Sequence, residues 1–280
     1  MRQKHITERE IISFRGALIE EEKSAATVPK YVRDLRAFAR FAADGAVDKE
    51  LVIRYKQELV ERYAPASVNS MLAAVNRFFR HKGWHDCVVK TVRVQRQNFR
   101  DRDRELSRNE YYRLVEAARR RKDDRLCLLM QTICATGIRV GELRFITVES
   151  LETGRAIVSL KGKTRQVLLP RALVRELCRY AQQRGLQTGS IFVTRSGVPL
   201  DRSNILHAMK ALCETAGVAR GKVFPHNLRH LFACLYYKVS KDLSRLADLL
   251  GHSSVNTTRI YTSVNGSEQA RQIERLGLVL

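Results

Sequence analysis

A small set of residues in the second half of the chain has the types and order needed to act on a phosphodiester. Arg139 lies in Ala135-Thr136-Gly137-Ile138-Arg139-Val140-Gly141-Glu142-Leu143, just past a glycine that can end a helix. Pro225-His226-Asn227-Leu228-Arg229-His230 spaces His226 and Arg229 three apart, so a helix would carry both on one face. Leu249-Leu250-Gly251-His252-Ser253-Ser254 reads as a helix stopped at Gly251 with a new N-cap at Ser253 or Ser254, and Tyr261 follows in Thr257-Thr258-Arg259-Ile260-Tyr261. Lys161 and Lys163 sit in a Lys161-Gly162-Lys163-Thr164 turn. Taken singly, each has an ordinary explanation: a surface arginine, a helix-start histidine, a packed tyrosine, exposed turn lysines.

Taken together they supply what transesterification needs when a protein hydroxyl replaces metal-activated water. A phenol, with an ordinary pKa of about 10, is a better nucleophile near neutrality than serine and becomes a covalent carrier. That is the role open to Tyr261. Two guanidiniums, from Arg139 and Arg229, can stabilise the charge that gathers on the non-bridging oxygens. A lysine on the hairpin can protonate the leaving oxygen, and the imidazoles of His226 and His252 can accept or share protons with tyrosine and phosphate.

The elements that must hold these residues divide the chain in two. Helical periodicity runs through residues 8–22, 28–41 and 47–62, with Tyr31, Leu35, Phe38 and Phe41 facing inward on the second until Asp44-Gly45 stops it. A fourth helix, N-capped at Ser67, turns Val68, Met71, Leu72, Val75, Phe78 and Phe79 inward and ends at Gly83. Residues 1–90 are therefore expected to form a four-helix bundle. Residues 91–104 lose the periodicity and are arginine-rich, which reads as a basic linker able to lie against phosphates.

Residues 105–280 open on Ser107 and Glu110 at capping-box spacing and continue into an apolar helix over 126–136 that Gly137 ends. Strands at 156–160 and 165–169 make a hairpin, a short strand is expected at Ile191-Phe192-Val193, and helices fill the rest. The fold class is thus mainly α with a small β-sheet. A short C-terminal helix carries an apolar edge at Ile273 and Leu276.

Bulk properties fit a polyanionic partner. The 280 residues hold 51 Lys and Arg against 29 Asp and Glu, a formal net charge of +22, while an apolar fraction of 44% is enough to fill real cores. No apolar run is long enough to span a bilayer and no signal-peptide core follows Met1, so a soluble, cytoplasmic protein is expected. The six cysteines lie far apart with no C-x-x-C pair, reading as reduced, mostly buried thiols and not as a disulfide framework or a metal site. No P-loop is present.

The ordered series Arg…Lys…His-x-x-Arg…Gly-His-x8-Tyr resembles the signature of the tyrosine recombinase superfamily, which includes lambda integrase and the Xer recombinases. The resemblance covers nearly the whole chain. It implies an N-terminal core-binding bundle and a C-terminal catalytic domain closing as a C-shaped clamp on duplex DNA. It implies Arg139, His226, Arg229 and His252 around the scissile phosphate, Tyr261 as nucleophile, and a 3′-phosphotyrosyl intermediate. Because that intermediate preserves the energy of the broken bond, no ATP is needed, and the resemblance implies that no metal or other cofactor is needed either. The hairpin is one residue shorter than the family's usual pattern. Spacing back from Arg165 favours Lys161 as the catalytic lysine, whereas the Lys-Thr pair favours Lys163.

The resemblance further implies a homo-tetramer on specific recombination sites, with the C-terminal helix docked on a neighbouring protomer, and no small-molecule substrate. A type IB topoisomerase shares this chemistry, and a DNA-binding regulator could keep the fold without it. The compact size and separate bundle favour a recombinase, and the full set of catalytic residue types favours an enzyme. With no further domain ahead of residue 8, the pattern points to an Xer-like or transposon-type enzyme.

The charge balance predicts that binding to duplex DNA weakens steeply as salt rises, because phosphate contacts release counterions. A fluorescence titration at increasing salt measures the slope, and a flat response contradicts a phosphate-dominated interface.

Overall fold

In the computed structural model, which describes residues 4–43, 45–93, 104–160, 163–252, 254–261 and 274–275, contacts divide the chain into two units, residues 1–96 and 97–280. The first holds helices α1 (Glu8–Glu20), α2 (Thr27–Ala42), α3 (Lys49–Arg62) and α4 (Pro65–His81). Thr7 and Glu10 form a capping box on α1, and the Asp48 carboxylate caps α3. α4 begins earlier than the expected Ser67 cap. Pro65, with its fixed φ and missing N–H, suits the first helical position, so Ala64 becomes the N-cap. α2 closes on Ala43 in the left-handed region, just ahead of the expected stop.

The core of this unit is aromatic. Phe14 meets Phe78 edge-on and Phe38 meets Phe79 edge-on, with Leu18, Leu35, Val52 and Leu72 filling the space between. Tyr31 and Phe41, expected inside, are half-buried, and Val32 takes an interior place on α2. Beyond a short 3-10 turn at His85–Cys87, the chain runs back along α4, where two asparagines act as surrogate strand partners. The Asn76 amide donates to the Val89 carbonyl at 2.8 Å and accepts from the Val89 N–H at 3.0 Å. Asn69 does the same for Val92 at 2.9 and 2.8 Å.

The second unit opens with α5 (Arg108–Arg120), started by the Ser107–Glu110 capping box, and α6 (Asp124–Thr136), capped by Asp123 and buried on nearly every side. A 3-10 turn at Val140–Phe145 leads to α7 (Val148–Thr153) and the hairpin of β1 (Arg155–Leu160) and β2 (Lys163–Leu168). The strands are antiparallel, paired from Arg155↔Leu168 to Leu160↔Lys163. The connection is therefore tighter than the expected four-residue turn, because Lys163 and Thr164 belong to β2. Helices α8 (Arg171–Gln183), α9 (Arg202–Ala211), α10 (Cys213–Ala216), α11 (Pro225–Ser240), α12 (Leu243–Leu250) and α13 (Val255–Thr258) follow, with α11 packed along α6.

Ile191-Phe192-Val193 is not a strand. Its neighbourhood makes only the isolated bridges Thr147↔Ser190 and Val193↔Pro199, and Pro199 has no N–H with which to extend a ladder. Ile191 and Phe192 are nonetheless buried in the core of this unit. The fold is mainly helical with one small sheet among the described residues, as expected.

Residues 94–103 of the expected linker and most of the expected C-terminal helix lie outside the described residues. The six cysteines are free thiols, three buried and three half-buried. Among the described residues no helix is long and apolar enough to cross a membrane.

Replacing Asn76 by Ala leaves the Val89 N–H and carbonyl without partners inside the first unit, which is expected to cost on the order of 3 kcal/mol. Urea denaturation of the variant measures it, and an unchanged midpoint would show that water satisfies both groups.

Candidate active site

Arg229 organises the site. It sits on the first turns of α11, 2% exposed, and a guanidinium so buried must spend its N–H groups on acceptors. Its Nη1 donates to the Gly137 carbonyl at 2.7 Å and its Nη2 to the Leu250 carbonyl at 2.7 Å. Both acceptors lie at helix C-termini, of α6 and α12, where carbonyls point outward and the helix dipole is negative. Burial, reinforced by the charge of Arg139, lowers the pKa of Arg229 to about 10, which leaves it cationic at neutral pH.

The same Nη2 reaches His252 Nε2 at 3.0 Å. A guanidinium only donates, so Nε2 must accept, and the ring proton resides on Nδ1, which donates to Thr258 Oγ1 at 2.8 Å. The imidazole is thus neutral. Burial first, then the positive charges of Arg229, Arg139 and Arg165, lower its pKa to about 4. His226 also acts on it through space, from an exposed position in the first turn of α11.

Tyr261 closes the 3-10 turn Arg259–Tyr261 that follows α13, whose N-cap is Ser254. Its ring stacks on His252, with centroids 6.1 Å apart and planes at 15°, and meets the edge of His230 at 5.2 Å. Ala233, Leu246 and Leu250 pack around it, leaving Tyr261 5% exposed.

Arg139 stands at the mouth, its side chain 43% exposed. Its backbone N–H and Nη1 both donate to Glu142 at 2.9 Å, and its Nη2 donates to the Gly251 carbonyl at 3.2 Å. Glu142 is 2% exposed, yet its carboxyl is held below the usual range. Burial alone would raise it, but the Arg139 N–H and the guanidiniums of Arg165 and Arg139 outweigh that. Arg139, Arg229, His252 and Tyr261 therefore converge on one place where, among the described residues, the cations of Arg139, Arg165 and Arg229 surround the carboxylate of Glu142. Such a place suits a tetrahedral oxyanion.

Residues 104–268 match the phage integrase family, and residues 11–85 match the phage integrase N-terminal SAM-like domain. The chain belongs to the phage integrase family. It is a tyrosine site-specific recombinase of the Xer type, which cleaves and rejoins DNA. It is 29% identical to the tyrosine recombinase XerA of Thermococcus kodakarensis, over 95% of this chain and 96% of that one. A crystal structure of XerA recombinase superposes with a TM-score of 0.52 at 28% identity, covering 96% of this chain and 98% of that one. A lambda integrase tetramer bound to a Holliday junction shares the fold at 18% identity, with a TM-score of 0.73 over 92% of this chain and 78% of that one.

In this recombinase Lys161 lies outside the described residues, and Lys163 is placed only by its backbone, opening β2 opposite Leu160. Sequence reading passed over Glu142, Arg165 and Thr258. Glu142 had a visible signal, an acid three residues after Arg139, but nothing in the string marks Thr258 as the partner of His252.

Because the folded-state pKa of His252 is depressed, the unfolded chain binds its proton first as pH falls. Stability contributed at this residue is full above about pH 6.5, the ordinary histidine value, and is lost as pH drops toward about 4. Thermal melts of wild type and His252→Gln across that window are expected to converge at low pH, and parallel curves contradict a neutral, half-buried imidazole.

Proposed function

We propose that this recombinase cleaves one strand of duplex DNA at a specific site by attack of Tyr261 Oη on the scissile phosphorus. The P–O5′ bond breaks, a 3′-phosphotyrosyl ester forms, and a free 5′-hydroxyl is released for exchange with a partner strand. The observation that carries this reading is the stacking of Tyr261 on an imidazole that the buried Arg229 holds, beside the more exposed Arg139.

The two guanidiniums bind the non-bridging oxygens and take up the charge that grows on them. His252 is occupied by Arg229 in the free protein. When Nη2 turns to a phosphate oxygen, Nε2 is released as a proton acceptor close to the phenol. His226, exposed at the head of α11, is the second imidazole that can share a proton with the phosphate. The 5′ oxygen takes its proton from the ammonium of Lys161 or Lys163. The step conserves the phosphoester bond energy, so it requires no ATP, and the guanidiniums, imidazoles and lysine supply the charge stabilisation and proton transfers that a metal would otherwise provide.

The partner is double-stranded DNA carrying recombination sites, a reading that the net charge of +22 supports. The working form is a homo-tetramer on DNA, supported by the lambda integrase tetramer on a Holliday junction. The recombinase acts in the cytoplasm, on integration, excision, inversion or resolution of DNA.

Duplexes captured covalently from a random library by wild-type protein, then resolved on denaturing gels, test the nucleophile. Wild type is expected to give a protein–DNA adduct and Tyr261→Phe none. An adduct of undiminished yield in Tyr261→Phe assigns the attack to another residue.

A further inference from the structure

Arg165 does more than fill space under the hairpin. Standing on β2, it donates from Nη2 to Glu142 Oε2 at 2.6 Å and from Nη1 to the Leu249 carbonyl at 2.9 Å. One side chain thereby ties three separate elements: the hairpin, the Arg139–Glu142 turn, and the last turn of α12 that leads into His252. Its stem lies flat on Gly251, where a Cβ would come within 2.4 Å of Cδ and 2.6 Å of Nε. The Nε–H is buried without a partner, so this close approach is kept at the expense of a hydrogen bond. Burial lowers the guanidinium's pKa, and only the Glu142 carboxylate opposes that.

The rest of the hairpin shows why such a tie is needed. Near its base, Ala156, Val158 and Val167 are buried in the core of the unit. Toward the tip, Ser159 and Thr164 are exposed. Arg165 is thus the outermost side chain of β2 with a described hold on the body of the unit, and an isolated two-stranded ribbon has little stiffness of its own. Lys163 stands two positions upstream in the same strand, and Lys161 two further.

We infer that Arg165 is a positioning residue for leaving-group protonation, clamping the hairpin to the Arg139 turn and the His252 turn so that its lysine reaches the 5′ oxygen. The inference rests on the proposed role of that lysine as proton donor. The coupling has a chemical consequence. A 5′ oxygen leaves well only when it gains a proton as the P–O5′ bond breaks, whereas a 5′ sulfur leaves as a thiolate without one, since thiols ionise near pKa 8.5. A defect confined to proton delivery therefore disappears when sulfur bridges phosphorus and the 5′ carbon.

The test measures single-turnover cleavage of a duplex captured by wild-type protein, made with either an ordinary phosphodiester or a 5′-bridging phosphorothiolate at the scissile position. Wild type, Arg165→Gln, Arg165→Lys, Lys161→Ala and Lys163→Ala are compared. Arg165→Gln is expected to slow the ordinary substrate about 100-fold, within the range for loss of a general acid, and to recover to within about threefold of wild type on the sulfur substrate. Arg165→Lys keeps a cation but not the two-pronged fork, and should show the same pattern with a smaller loss. It carries the test if Arg165→Gln does not fold. If one lysine variant is rescued by sulfur while the arginine variants stay equally slow on both substrates, the inference is overturned. If neither lysine variant is rescued, the lysine's role itself falls, and the inference with it.

Discussion

A guanidinium that cannot reach water must be surrounded by oxygen, and the catalytic unit solves that problem for Arg229 with backbone. The acceptors are the carbonyls of Gly137 and Leu250, at the ends of α6 and α12. Removing the partners of a buried charge typically costs about 3–5 kcal/mol, so these two helix ends cannot separate without a penalty comparable to much of a domain's stability. Everything else in the site inherits its place from this junction. Arg139 follows directly after the end of α6, His252 directly after the end of α12, and α11 supplies Arg229 itself.

Charge balance at the junction follows from the same arrangement. Among the described residues, Arg139, Arg165 and Arg229 crowd one region against a single buried carboxylate, Glu142. Burial, joined by the excess of positive charge, keeps His252 neutral, and that charge prepares the region for an anion. Because these groups are fixed by backbone and by each other, the reorganisation left for the arrival of negative charge is the turn of Arg229 Nη2 from His252 to an incoming oxygen. Glu142 sets the limit of this arrangement, since it bonds two of the three arginines at once.

Much of this could be read from the string of residues, and the reasons differ by element. Arg139, Arg229, His252 and Tyr261 are legible because each sits at a helix break or helix start whose chemistry is local: Gly137 and Gly251 end helices, and Pro225 begins one. The four-helix periodicity and the Ser107 capping box are local in the same sense. The failures are non-local or competitive. Ser67 lost the start of α4 to Pro65, which opens the helix with Ala64 as N-cap, because two good signals competed within three residues. Ile191 and Phe192 carry strand-like composition, but whether a strand forms depended on a partner, and the partner contains Pro199. Arg165 looked like one more basic residue, since its value lies in contacts with Glu142 and Leu249, far away in sequence.

The two glycines at the junction answer to two demands each. Gly137 and Gly251 both adopt positive φ, and at both a Cβ would collide with a neighbour: the Phe232 ring at 2.4 Å in one case, the Arg165 stem at 2.4 Å in the other. Asparagine can meet the first demand, but it cannot meet the second. Neither position therefore has a stepping-stone substitution, and neither can drift through single changes while the junction is kept. Sequence divergence in this chain must run around these two points, reaching them only if Phe232 or Arg165 changes first.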